Sequence, residues 1–127
     1  MTKEIIHTKN APAAIGTYSQ AVKVGNTVYL SGQIAIDPDT QQLLTEDMRE
    51  QIQQVFRNLS AVAHAAGGTL ADVVKLTIYL IDLAQFSLVN DIMSEFFSEP
   101  YPARAVIGVS QLPKHADVEM DAILHIE

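Results

Sequence analysis

A chain of 127 residues, 48% of them hydrophobic, suits one domain over residues 1–127 with ample apolar surface for a core. Its formal net charge of -7 repels phosphate backbones, and the eight Lys and Arg are spread thinly, so nucleic acid is not an expected partner. The absence of cysteine excludes disulfides, thiolate nucleophiles and cysteine metal sites.

No long apolar stretch follows Met1-Thr2-Lys3-Glu4, as a signal peptide requires, and none approaches the ~18 residues that span a bilayer, so the expectation is a soluble, cytoplasmic protein away from membranes. Ile5 and Ile6 predict a short first strand, and Asn10 to Tyr18, with Pro12 and Gly16, a loop. Ala21 to Val24 and Thr27 to Ile36 read as two strands joined at the Gly25-Asn26 turn. In the second, Val28, Leu30, Gly32 and Ile34 should point one way and Tyr29, Ser31, Gln33 and Ala35 the other. Asp37-Pro38-Asp39-Thr40 is a turn.

Helical spacing of Ile52, Val55, Phe56, Leu59, Val62, Ala63 and Ala66 predicts a helix over Asp47 to Ala66. Asp47 with Glu50 makes a candidate capping box, Thr45 is the rival cap, and Gly67-Gly68 is the stop. Val73 to Ile81 is a strand with Val74, Leu76, Ile78 and Leu80 on one face. Its other face, with Val73, Thr77, Tyr79 and Ile81, is largely apolar too. Asp82 then caps a second helix to about Phe97, with Phe86, Val89, Met93 and Phe96 inward and Pro100 and Pro102 preventing continuation. Ala103 to Val109 and Asp117 to Ile126 are the last strands, and the short Leu112-Pro113-Lys114-His115 link suggests that they form an antiparallel pair. The result is an α+β chain of order β-β-β-α-β-α-β-β. Two helices cover one face of such a sheet, so its apolar back must be hidden, most simply by other copies of the chain.

Arg104 lies between Ala103 and Ala105 in an apolar strand. A guanidinium cannot lose its proton, so it makes an internal salt bridge, sits at a strand edge in water, or clamps a substrate carboxylate with two parallel hydrogen bonds. Glu119 shares a face with Asp117 and Asp121 by the two-residue period. Either that face is solvated, or one carboxylate faces a pocket and holds a water. If the strands carrying Arg104 and Glu119 are adjacent, the two can share a site. His7, His64, His115 and His125 show no metal-ligand spacing, Ser19, Ser31 and Ser110 lie in no nucleophile elbow, and Gly67-Gly68 is not a phosphate loop.

Pro102-Ala103-Arg104-Ala105-Val106-Ile107, then Leu112-Pro113-Lys114 and Val118-Glu119-Met120-Asp121-Ala122, resemble the C-terminal signature of the RidA/YjgF family. The segments Ala11 to Ala21, Leu30-Ser31-Gly32-Gln33-Ile34, Phe86 to Asn90 and Phe96-Phe97 are similar to further family segments in the same order, over nearly the whole chain. The resemblance implies a chorismate-mutase-like homotrimer with a central β-barrel, helices outside and sites in the clefts between subunits. It also implies a 2-iminobutanoate/2-iminopropanoate deaminase, which hydrolyses 2-imino acids released by pyridoxal-phosphate enzymes and uses no metal or organic cofactor itself. By that likeness Arg104 matches the carboxylate-binding arginine and Glu119 the glutamate that positions or activates water. The amide of Val106 and the backbone of Gly32 match substrate-orienting positions, and Tyr18, Ser31 and Asn90 match polar residues of the cleft. Departures are Val106 where many relatives have cysteine, Thr17 for a common proline, and Gln41 for a frequent turn glycine. Two other functions stay open: a non-catalytic module sensing small carboxylates or regulating a partner, and a ribonuclease, which fits poorly with the charge of -7.

Overall fold

The computed structural model describes residues 2–127. A six-stranded sheet has the order β1-β2-β3-β8-β6-β7, formed by β1 (Lys3–Ile6), β2 (Ala21–Val24), β3 (Thr27–Gln33), β6 (Val73–Leu80), β7 (Ala103–Gly108) and β8 (Val118–His125). A small hairpin of β4 (Ile36–Asp37) and β5 (Gln42–Leu43) stands apart. Two helices, α1 (Met48–Ala65) and α2 (Phe86–Phe96), pack on one face of the sheet, as the sequence pattern requires.

The α1 core residues fall where their spacing puts them: Ile52, Val55, Phe56, Leu59, Val62, Ala63 and Ala66 are all buried. Phe56 stacks on Phe96 at 5.1 Å between ring centroids and meets Phe97 edge-on, which joins α1 to the end of α2. Asp47 caps α1 by accepting from the Arg49 amide at 2.9 Å. Thr45 is thus not the cap, and the reciprocal Glu50 bond of a capping box does not form, because Asp47 engages the second helical amide rather than the third. Gly67, at φ 95°, ends the helix in the left-handed region.

Several sequence expectations need correction. The strands β7 and β8 do not pair: β8 lies between β3 and β6, antiparallel to both, while β7 runs parallel to β6. The reason is the connection: β6, α2 and β7 form a βαβ crossover, which returns the chain to the same end of the sheet. Burial agrees, since Val118, Met120, Ala122 and Leu124 are buried along central β8, and no residue of edge strand β7 is fully buried.

Two bulges shift the faces. Between Val73 and Lys75 the register slips, so Val73 turns into the core and Val74 outward, the reverse of the simple alternation. Between Leu30 and Gln33, two residues of β3 oppose one of β8, and Gln33 and Ala35 become the buried side chains in place of Gly32 and Ile34. The strand also stops at Gln33 rather than Ile36. Asp82 caps a short 3-10 turn, Leu83–Gln85, and α2 begins only at Phe86. On α2 the buried set is Val89, Ile92 and Met93, and Phe86 is exposed.

The sheet's other face carries a cross-strand row of Ile5, Val22, Tyr29 and Ile123. In the isolated chain it is open: Tyr29 is 51% and Val74 49% exposed.

Candidate active site

Glu119 stands on the open face, beside Tyr79 of β6. The β3 bulge brings Gly32 against it so closely that a Cβ there would lie 2.6 Å from Glu119 Oε2. The backbone amide of Ser31 is turned to the Gln20 carbonyl (3.0 Å), and its hydroxyl donates to the Ser19 carbonyl (2.6 Å). Tyr18 lies on the loop that leads there. Tyr18, Ser31, Gly32 and Glu119 line one cavity of about 750 Å³, together with Gln41 and Lys114. Burial pushes the Glu119 carboxyl above the ordinary carboxylate range, and the Asp121 carboxylate nearby adds to the rise. Asp121 also accepts from the Tyr79 hydroxyl at 3.0 Å, which raises the phenol's pKa.

Arg104 lies elsewhere. It pairs across β6 with Leu76, whose side chain is in the core, so Arg104 projects on the helix side of the sheet at its edge. There Nη1 donates to Asn90 Oδ1 at 2.8 Å and approaches Met93 Sδ at 3.6 Å. Arg104, Asn90, Met93 and Tyr101 line a second cavity of about 410 Å³. Among the described residues the only ion pair is Arg49–Glu95, so no carboxylate of this chain neutralises Arg104. The internal salt bridge that one reading of the sequence allowed is therefore absent.

Seven residues singled out in the sequence thus divide. Tyr18, Ser31, Gly32 and Glu119 come together, Asn90 and Arg104 come together, and Val106 follows Arg104 on β7 in neither cavity. The expectation that Arg104 and Glu119 share a site through adjacent strands is wrong for one chain. Strand β6 separates them, and they leave the sheet on opposite faces. The β7 backbone is open on its outer side. Val109 donates to the Leu80 carbonyl, so two-residue alternation turns the amides of Ile107 and Ala105 to β6 and those of Val106 and Arg104 to the free edge.

Other polar residues support the Glu119 side. Gln20 is 2% exposed; its side-chain oxygen accepts from the Thr8 amide (2.7 Å), and its nitrogen donates to the carbonyls of Thr8 (3.1 Å) and Pro12 (2.8 Å), fixing the loop that leads to Tyr18. Asn58 of α1 donates to the carbonyls of Ile34 and Ile36, behind the bulge. For Asn58 the available signal is a polar side chain on the apolar stripe with Val55 and Val62; Gln20, which follows Thr17-Tyr18-Ser19, carries none. Gln41 adopts φ 59°, the conformation for which a glycine is favoured. Among the described residues no three His, Cys, Asp or Glu side chains converge as a metal site would need, and no helix is long and apolar enough to cross a membrane.

Comparison with known proteins gives the relationship. The sequence model described as Endoribonuclease L-PSP matches residues 8–126. The chain is 50% identical to a 2-iminobutanoate/2-iminopropanoate deaminase of Dermatophagoides farinae over 98% of both chains, and 44% identical to the Bos taurus protein of that name over 97% of this chain and 90% of the relative. The crystal structure of RidA from the Antarctic bacterium Psychrobacter sp. PAMC 21119 superposes with a TM-score of 0.94 at 53% identity, covering 97% of this chain and 99% of that one. That of E. coli TdcF with bound serine superposes at 0.93 and 36% identity, covering 98% and 99%. The matching family model and the relatives at 44–53% identity show that the chain belongs to the RidA/YjgF family, the family of the Endoribonuclease L-PSP model.

Proposed function

We propose that the protein hydrolyses 2-imino acids to 2-oxo acids and ammonia, in a cleft where the Arg104 half-site of one copy faces the Glu119 half-site of the next. The observation that carries this reading is Arg104: a guanidinium held by Asn90, with no carboxylate of its own chain beside it. A fixed cation of that kind suits an anionic ligand. The relatives named 2-iminobutanoate/2-iminopropanoate deaminase supply the reaction class, and the serine-bound TdcF structure is a relative holding an α-amino carboxylate. The two half-sites are different surfaces, so their contact is heterologous and must close into a ring to leave none unused. Three copies, with their open sheet faces turned inward as a barrel, would also cover Tyr29 and Val74. In this reading residues 1–127 act as one domain of a cytoplasmic homotrimer.

Arg104 binds the substrate carboxylate, and the Val106 amide and Gly32 backbone orient the imine, with Tyr18, Ser31 and Asn90 lining the cleft. The protonated C=N carbon is already electrophilic, so placing a water is the main task, and the chemistry calls for no metal or organic cofactor. As the water oxygen bonds to that carbon, the C=N π pair moves to nitrogen and Glu119 takes the water's proton. The same proton then returns to nitrogen, an oxygen lone pair forms the C=O bond as the C–N bond breaks with its pair leaving on ammonia, and the hydroxyl proton passes to the Glu119 carboxylate and on to water to give the 2-oxo acid. In the assembly the Arg104 charge opposes the rise that burial imposes on Glu119.

The test is an assay in which an amino-acid dehydratase releases 2-iminopropanoate and its loss is timed. Arg104→Ala should abolish the acceleration while light scattering shows the assembly intact. Arg104→Lys should lose most of it, since an ammonium cannot make the paired contact. Full activity in Arg104→Ala refutes the reading. A second reading, a module that senses small carboxylates, is favoured by the serine in the TdcF structure; tight binding without turnover would establish it.

A further inference from the structure

Phe86 has no evident packing reason to be aromatic. It opens α2, is exposed, and leaves the core to Val89, Ile92 and Met93. What it does touch is Arg104, whose Cζ lies 5.2 Å from the centre of its ring. Phe86, Asn90 and Met93 are spaced i, i+4, i+7, which puts them on one stripe of α2. A single rigid helix therefore supplies every contact recorded for the guanidinium: a ring beneath it, and an amide oxygen and a thioether sulfur on the same nitrogen, Nη1. With Nη1 engaged on that side, Nε and Nη2 remain as the two parallel donors that a carboxylate fork needs.

We propose that Phe86 is a positioning residue, whose ring face holds the Arg104 guanidinium in the plane that presents Nε and Nη2 to the substrate carboxylate. This rests on the carboxylate-clamp reading of Arg104 and deepens it. The ring's negative face attracts the cation, and its flatness restricts the side chain without competing for its donors. A residue that only orders the clamp helps ground state and transition state alike, so its loss should appear in KM rather than kcat.

The experiment compares Phe86→Leu with Phe86→Tyr in the assembled protein. Leucine keeps apolar bulk and removes the ring; tyrosine keeps the ring face. KM and kcat are measured for 2-iminopropanoate, and the order parameter of the Arg104 Nε–H group by 15N NMR relaxation. Phe86→Leu should raise KM about two- to fivefold, the effect of an exposed cation–π contact, with kcat within about twofold, and should lower the Nε–H order parameter. Phe86→Tyr should restore both. An unchanged order parameter in Phe86→Leu, or the same loss in both variants, overturns the proposal; the second result would mark Phe86 as packing alone. Should the parent protein show no imine hydrolysis, that reading falls by itself. The NMR comparison, which needs no turnover, still decides whether the ring orders Arg104.

Discussion

Replacing Gly32 with alanine separates the site from the fold. Gly32 is not in the left-handed region, so its backbone accepts alanine without strain. The added Cβ would lie 2.6 Å from Glu119 Oε2, 3.0 Å from Cδ and 3.3 Å from Cγ. The shortest of these is about 1 Å inside the ~3.5 Å at which nonbonded heavy atoms rest. The atoms struck are the end of a flexible side chain, so the carboxylate swings away and stability should change by no more than about 0.5 kcal/mol. Displacing a water-holding carboxylate by about 1 Å should lower kcat/KM roughly 100-fold. The assay pairs timed loss of 2-iminopropanoate with chemical denaturation of the same variant. Activity within about threefold of the parent would refute the role given to Glu119. A large drop in stability would show that Gly32 serves the fold instead.

Other outcomes follow from the same geometry. Glu119 must be ionised to accept a proton, and burial first, then Asp121, raise its pKa against the opposing charge of the neighbouring copy's Arg104; removing the Asp121 charge in Asp121→Asn should therefore move the acidic limb of kcat/KM down, as a pH–rate series will show. Because the folded-state pKa of this acid is raised, its ionisation opposes folding once pH passes the unfolded value. Glu119→Gln should then be more stable than the parent near pH 7, with the difference vanishing in acid, read from denaturation midpoints across pH. Gln20→Leu leaves the Thr8 amide and the Thr8 and Pro12 carbonyls without their partner, and should cost about 1–3 kcal/mol in denaturant unfolding.

How far the sequence reveals this structure depends on whether a feature is local. The buried face of α1, from Ile52 to Ala66, follows from helical period, as does the two-helix layer, while the apolar back of the sheet follows from the two-residue period of the strands. Bulges are not periodic. The slips at Leu30/Gln33 and Val73/Lys75 reverse which side chains are buried, and nothing in the alternating pattern marks them. The parallel pairing of β7 with β6 is legible in the order of elements. A strand, a helix and a strand imply a parallel crossover, and that signal outweighs the short Leu112–His115 link. The residue types of the candidate site are legible in the sequence: Arg104 is a charge in an apolar strand, and Glu119 is one of three carboxylates that share a strand face, with Asp117 and Asp121. The placement of Arg104 and Glu119 on opposite faces depends on β8 inserting between β3 and β6, a long-range choice that spacing along the chain does not encode.

The sharpest trial is complementation between two dead variants. Arg104→Ala and Glu119→Gln chains are unfolded together in equal amounts, refolded, and timed on 2-iminopropanoate. If each centre draws its guanidinium from one chain and its carboxylate from the neighbour, random ring assembly rebuilds about one quarter of the sites, and about a quarter of parental turnover returns. A refolded mixture as inactive as either variant alone would contradict the shared cleft.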